Sequence, residues 1–468
     1  MKIFFLNEYI LIYNDSSSRS DHMSSIKGDL NKYIKSLQLY QNSAPIADKN
    51  YKEIGVVIKY DNETSNYNSS IIKNKIKEIK DNIKNNSNKV NSNNEIINEA
   101  EYNLDYQTDS PDIIINFPFP PKKGLQNIGA TCYMNATLQC FCHIEKLVNY
   151  FKYSHQVVSM VRNNKNNLTS SFKLLIEKLW PNNYNESYTQ KYYAPEEFKN
   201  KISKMNPLFE GIAANDAKDL VNFIIMTLHQ ELNKGKKNNN NNDSIILDQR
   251  NQQIMFNNFA QNFELENQSI ISDLFYGINC NITQCSNCNT NIYNYQVYFF
   301  LVFPLEEVRK FKNDFFSNNQ VNIYDCFDYD KKVNFMYGEN SMFCNYCRQN
   351  TNCKMCTCLT IGPEILILLL NRGQGIEFNV KINFMEDLDL TNYIQYKNTG
   401  VKYKLIGVIT HIGESGMGGH FIAYCKDPIS KSWNKYNDAI VSDVQEQDFQ
   451  KEVINFAMPY LLFYQKSS

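Results

Sequence analysis

At about residue 270 the spacing of the apolar residues changes, and that change limits what the chain can fold into. Before it, apolar side chains recur at helical intervals. In "NDAKDLVNFIIMTLHQEL" (215–232), Leu220, Phe223, Ile224, Leu228 and Leu232 share one face. After it, the apolar residues gather into short β-like runs: "YQVYFFLVF", "EILILLL", "KYKLIGVIT", "HFIAYCKD" and "YLLFYQ". Helices first and mainly antiparallel strands afterwards make an α+β plan, because segregated runs pack as layers and not as alternating βαβ units.

The globular texture begins near residue 121. Residues 1–110 form a separate Asn/Lys-rich N-terminal region, expected to be partly disordered. From 61 to 105 the chain is mostly Asn, Lys, Ser and Ile, with too little aromatic and branched surface to offset chain entropy. "IGVVIKY" (54–60) reads as one strand of a small N-terminal element, and the apolar start "MKIFFLNEYILIY" as a short strand or helix. That start has only Lys2 as a basic n-region and no small-residue cleavage site, so it does not read as a signal peptide. A second polar tract, "KGKKNNNNNDS" (234–244), reads as a surface-loop insertion.

The 468 residues are 43% hydrophobic, enough for a sizeable core, and the formal net charge is −1. That balance leaves no footprint for nucleic acid or an anionic membrane. The run "EILILLLN" (364–371) is too short to span a bilayer. A soluble, intracellular protein is expected. Thirteen cysteines, several in C-x-x-C spacing, read as reduced thiols and metal ligands.

"GATCYMNATLQCFCHI" (129–144) holds three of those cysteines. A helix is expected over "TCYMNATLQCFCHIEKLVNYF" with Thr131 at its N-cap. Cys132 then lies in the first turn, where free N–H groups and the helix dipole favour a thiolate. Cys140 and Cys142 lie two turns or more further on and read as core. A thiolate nucleophile needs a histidine. Of the six histidines, His411 and His420 bracket the Gly-rich "HIGESGMGGH", and His420 opens a strand. "SWNKYNDAIV" reads as the return strand of a hairpin turning at "DPIS" (427–430). A turn centred between Pro428 and Ile429 sets His420 opposite Asn437, with Asp438 on the other face. The pieces amount to a Cys-His-Asn/Asp arrangement.

"GLQNIGATCYMNATLQCF" closely resembles the cysteine box of the ubiquitin-specific proteases, and "GGHFIAYCKD…WNKYNDAIV" their histidine box. "ANDAKDLVNFIIMTLHQELN" is similar to the family's QQDAxEF region. "CSNC", "FCNYC", "IGPEILILLLNR" and "LDLTNYI" follow in the family's order. The resemblance spans about residues 121–466 and implies a catalytic domain over 121–468. The implied architecture is a papain-like right hand of thumb, palm and fingers, with antiparallel sheet in the palm and the fingers at about 270–360. It also implies hydrolysis of (iso)peptide bonds at ubiquitin's C-terminal glycine, with ubiquitin and ubiquitinated proteins as partners. Cys132 matches the nucleophile, His420 the general base and Asn437 the third member. Asn127 matches an oxyanion-hole side chain, and Asp438 a position where the family commonly has Asp. Two alternatives stay open: hydrolysis of a ubiquitin-like modifier, and a catalytically weak ubiquitin-binding scaffold.

Cys285, Cys288, Cys344 and Cys347 form two C-x-x-C knuckles, the donor set of a closed, structural Zn²⁺ site. "CKMC" offers Cys353 and Cys356 as rivals, with Cys358 beside them. Four positions depart from the family pattern. Ala214-Asn215 replaces the double Gln, Asp219 replaces Glu, Phe421 replaces the usual tyrosine after His420, and "LNRG" (370–373) replaces "LKRF".

Overall fold

The computed structural model describes residues 2–6, 9–13, 54–59, 122–163, 167–181, 191–235, 249–312, 320–373, 379–395, 401–413, 418–445, 449, 451, 453 and 458–467. The chain divides into two units, Met1–Asn66 and Tyr67–Ser468. The first unit holds an antiparallel sheet in the order β1 (Lys2–Leu6), β2 (Tyr9–Tyr13), β3 (Ile54–Lys59). The apolar start is therefore two paired strands, and "IGVVIKY" supplies the third. The tract at 61–105, and the polar insertion beyond residue 235, lie outside the described residues.

In the second unit the helices come first. They are α1 (Cys132–Phe141), α2 (Glu145–Tyr153), α3 (His155–Asn163), α4 (Leu168–Leu179), α5 (Glu196–Met205), α6 (Ala217–Leu232), α7 (Gln252–Glu266) and α8 (Ile270–Phe275). Side chains fix several starts. Asn167, Asp216, Asn251 and Ser269 accept from the backbone N–H groups of Ser170, Lys218, Ile254 and Ser272.

The single helix expected over 131–151 is two, α1 and α2, broken at Cys142–Ile144. The cause is local. His143 Nδ1 donates to the Gln139 carbonyl at 2.7 Å, the acceptor that the His143 backbone N–H would take in a continued helix. That N–H turns instead to the Cys140 carbonyl. Two further helices, α9 (Leu305–Phe311) and α10 (Ile323–Asp330), lie among the strands.

The remaining strands run in chain order. They are β4 (Gly124–Leu125), β5 (Tyr192–Tyr193), β6 (Gly277–Cys285), β7 (Asn291–Tyr298), β8 (Leu301–Pro304), β9 (Gln320–Asn322), β10 (Asn334–Met336), β11 (Met342–Cys344), β12 (Gln349–Thr351), β13 (Cys353–Ile361), β14 (Ile365–Asn371), β15 (Lys381–Asn383), β16 (Asp387–Asp389), β17 (Lys402–Ile412), β18 (His420–Lys426), β19 (Trp433–Asn437), β20 (Ile440–Val444) and β21 (Met458–Lys466). The central sheet has eight strands in the order β20-β19-β18-β17-β21-β14-β8, with β16 also on β17.

The faces of that sheet serve two cores. Ile365, Ile367 and Leu369 of β14 pack with α1, α4 and α6. Leu366, Leu368 and Leu370 pack on the other side with Phe303, Phe327 and Trp433. The unbroken apolar run is thus a strand buried on both faces, with period-two sorting inside it. Arg372 follows directly. It is 2% exposed, and its guanidinium donates to the carbonyls of Pro459 and Val380. Separately, β10-β13-β6-β7 form a four-stranded ribbon, and β11-β12 a short hairpin beside it.

Candidate active site

Cys132 is the first residue of α1 and is 6% exposed. Thr131 stands at the N-cap position but does not cap. Its hydroxyl accepts from the Ile128 N–H at 3.0 Å and so braces the preceding loop. The Cys132 backbone N–H is left unused by the helix, as at any helix N-terminus. Burial pushes the Cys132 thiol up, but a hydrogen bond from His420, the Phe421 backbone N–H and the charge of His420 outweigh it. The net shift is below the ordinary thiol range. His420 is pushed up to about 9, chiefly by Cys132 and further by Asn437, against desolvation. Both shifts run in the direction of a thiolate–imidazolium pair.

His420 Nε2 lies 2.6 Å from Asn437 Oδ1. A carboxamide oxygen only accepts, so Nε2 carries the hydrogen, and Nδ1 is the nitrogen left for Cys132. The hairpin that brings them together turns later than "DPIS" implied. Ala423 pairs with Tyr436, so Asn437 stands opposite Ile422 and diagonal to His420. The expected direct pairing is therefore off by two residues. A two-residue slip keeps each side chain on its face, so Asn437 still lies on the His420 side of the hairpin.

Asp438 does not continue the ladder. It takes a left-handed φ of 49° in the turn after β19. Its Oδ2 accepts from Asn127 Nδ2 at 3.0 Å and its Oδ1 from Asn135 Nδ2 at 2.7 Å. Asn127 Oδ1 in turn accepts from the N–H groups of Gly129 (3.2 Å) and Thr131 (3.1 Å). The backbone there is left-handed at Gly129 and Ala130, with φ of 120° and 47°. Both ends of the Asn127 amide are thus pinned, and its second Nδ2 hydrogen is taken by none of the described residues. Sequence reasoning missed Asn135. The available signal was a poor helix former one turn after Cys132 in a mostly apolar helix.

Cys140 and Cys142 are core. Both are buried, and Cys140 Sγ lies 3.8 Å from Cys425 Sγ. Burial pushes the Cys142 thiol up, opposite to Cys132. Of the Gly-rich segment, residues 414–417 lie outside the described residues. Gly419 has φ of 156°, and a Cβ there would sit 2.3 Å from the Ile412 carbonyl oxygen.

The sulfurs of Cys285, Cys288, Cys344 and Cys347 all lie within 4.8 Å of one another. Cys285–Cys347 and Cys288–Cys344 are each 3.8 Å apart. Four sulfurs held about 2.3 Å from one tetrahedral Zn²⁺ would be about 3.8 Å apart, so the donor set fits. Burial raises the Cys285 thiol, but N–H groups of Cys288 and Asn287 and the Thr351 hydroxyl hold it down to about 6. Among the described residues the rival cysteines form no comparable four-sulfur cluster. Cys353 faces Cys285, Cys356 faces Ile282 and Cys358 faces Cys280 along the β13–β6 ladder.

Residues 123–464 match the protein family described as "Ubiquitin carboxyl-terminal hydrolase". Ubiquitin carboxyl-terminal hydrolase Usp2 of Drosophila melanogaster is 25% identical, over 74% of this chain and 35% of its own length. Ubiquitin carboxyl-terminal hydrolase 2 of Bos taurus is 27% identical over 74% of this chain and 55% of its own length. That of Gallus gallus is 28% identical over 74% of this chain and 93% of its own length. The chain thus spans about half or less of the first two relatives. A chain of the SAGA Ubp8/Sgf11/Sus1/Sgf73 DUB module bound to ubiquitin aldehyde shares the fold. Its TM-score is 0.53 at 20% identity, over 75% of this chain and 70% of that one. The α+β expectation, with a helical layer, a palm sheet and a finger ribbon, is met.

Proposed function

Because the chain belongs to the ubiquitin carboxyl-terminal hydrolase family, we propose that it is a deubiquitinating thiol protease acting at the C-terminal glycine of ubiquitin. The observation that carries this reading is the coupled shift of Cys132 and His420 with Asn437 on the far ring nitrogen. In this reading the Cys132 thiolate attacks the scissile carbonyl. The Asn127 amide and the Cys132 N–H receive the developing oxyanion. The His420 imidazolium gives its proton to the leaving amine. His420 then takes a proton from water, which hydrolyses the acyl-enzyme. Asn437 keeps the ring in plane by accepting from Nε2, and Asp438 acts on Asn127.

The catalytic domain is assigned to 121–468 with fingers at about 270–360, and residues 1–110 stand outside it. The four finger thiols are assigned to one structural Zn²⁺, which when bound would cross-link the two knuckles. Among the described residues no helix is long and apolar enough to cross a membrane. None of the thirteen cysteines is in a disulfide, which supports an intracellular assignment to cytoplasm or nucleus.

Ubiquitin and ubiquitin-like probes carrying a C-terminal electrophile test the reading side by side. Rapid labelling of Cys132 by the ubiquitin probe is expected. Labelling only by a ubiquitin-like probe would reassign the substrate, and no labelling by either would leave a binding scaffold.

A further inference from the structure

Asn135 is a buried polar residue in the middle of a buried helix, and its contacts reach the two chain segments that carry the oxyanion machinery. It is 2% exposed and lies one turn after Cys132 on α1. Its Nδ2 gives one hydrogen to the Leu125 carbonyl at 3.1 Å and one to Asp438 Oδ1 at 2.7 Å. Asp438 passes the constraint on, because its other oxygen holds Asn127 Nδ2 at 3.0 Å. Leu125 adds a second tie, donating its N–H to the Asp438 carbonyl at 2.9 Å. The direction of the Asn135 amide is fixed by this surrounding. Reversed, its oxygen would face a carboxylate and a carbonyl, neither of which donates.

The Asp438 carboxylate sits at the rim of the site, half-buried, on a left-handed turn residue. Without a buried donor, such a carboxylate is free to turn toward water, and the Asn127 amide then keeps its Oδ1 anchors on Gly129 and Thr131 but loses the partner that aims its Nδ2 end. A packing or purely helical role for residue 135 would favour an apolar side chain or alanine, since Asn is a poor helix former and its own Oδ1 is buried without a partner. We infer that Asn135 is a positioning residue for the reaction, aiming the Asn127 amide at the oxyanion through Asp438. This rests on the reading of Cys132 as nucleophile and Asn127 as oxyanion donor.

The test uses the full chain and a ubiquitin C-terminal fluorogenic amide, with Asn127→Ala, Asn135→Ala, Asn135→Asp and the double Asn127→Ala/Asn135→Ala. Removing one oxyanion donor costs about a hundredfold in kcat, and that is expected of Asn127→Ala. Asn135→Ala is expected to lower kcat about tenfold with KM unchanged, since it weakens that same donor without deleting it. Asn135→Asp, which opposes two carboxylates at the same volume, is expected to fall further. The double variant is expected to match Asn127→Ala alone, because two residues acting in series are not additive. Alkylation of Cys132 by iodoacetamide needs no oxyanion donor, so its rate and pH profile are expected to stay as in the wild type.

Four results would overturn the inference: wild-type kcat in Asn135→Ala, a double variant slower than Asn127→Ala by the whole Asn135 factor, alkylation falling in parallel with kcat, or failure of both Asn135 variants to fold. The underlying reading fails separately, if Asn127→Ala itself keeps normal turnover.

Discussion

One cysteine in each of two groups, Cys132 and Cys285, is held toward the thiolate by hydrogen-bond donors, in opposite surroundings. At the start of α1, a single sulfur is held down by the His420 ring and the Phe421 N–H. In the fingers, Cys285 is held down by the N–H groups of a tight knuckle, but three other sulfurs surround it within 4.8 Å. An isolated thiolate beside a proton donor is a nucleophile. Four converging sulfurs are the donor set of a closed metal site, one with no open position for substrate. The chemistry of each sulfur is set by what else converges on it, more than by its own acidity.

The contrast breaks most completely at Cys132. Cys132→Ala is expected to reduce ubiquitin-amide hydrolysis to background while leaving the protein folded, measured by turnover and thermal melting. Residual turnover within a hundredfold of wild type would place the nucleophile elsewhere. The finger thiols come next. Structural Zn²⁺ sites contribute on the order of 10 kcal/mol to folding, so the chain is expected to carry about one Zn²⁺ by elemental analysis. Cys344→Ser is expected to lose the metal and loosen the fingers, whereas Cys353→Ser keeps it. The reverse pattern would move the cage to the rival sulfurs.

A smaller effect sharpens the first site. His420 stays protonated up to about pH 9, so hydrolysis is expected to fall as pH rises through that value and the ring loses the proton owed to the leaving amine. Cys132 is the largest contributor to that raised value, and Asn437 adds to it. Asn437→Ala is therefore expected to move the alkaline limb to lower pH, read from a kcat–pH profile. An unmoved limb would remove Asn437 from the pair. The smallest effect concerns the thiols that are neither nucleophile nor ligand. Cys140→Ala removes a buried sulfur that touches Cys425, and is expected to cost roughly 1 kcal/mol by denaturant unfolding with turnover intact.

Much of this was legible before any coordinates. Period-two and helical spacing separate the layers because burial enforces them, and the two knuckles announce themselves by their C-x-x-C spacing. The hairpin at His420 was legible only in part. Counting from "DPIS" misplaced the turn, since the loop at 427–432 is wider than a tight turn and Asp427 ties its own backbone across it. The break after α1 depends on one imidazole replacing a backbone donor, an event with no periodic signature. The Asp438 contacts join residues about 300 positions apart, Asn127 and Asn135, and no local pattern encodes them.

The position of β21 inside the central sheet also bears on how the protein is made. β21 lies between β17 and β14, and its Leu461–Gln465 pair with Leu369–Ile365. β14 leaves the ribosome well before that partner exists. At about 5–20 residues per second, the intervening hundred or so residues take on the order of 5–20 s to synthesise. Throughout that interval an apolar strand meant to be covered on both faces has neither its antiparallel neighbour nor a closed sheet around it. Runs of this kind are where nascent chains stick to one another. Production of this protein is therefore expected to respond to translation speed and to chaperones that shield the "ILILLL" segment, while the finished protein, with that strand sealed inside, is indifferent to both.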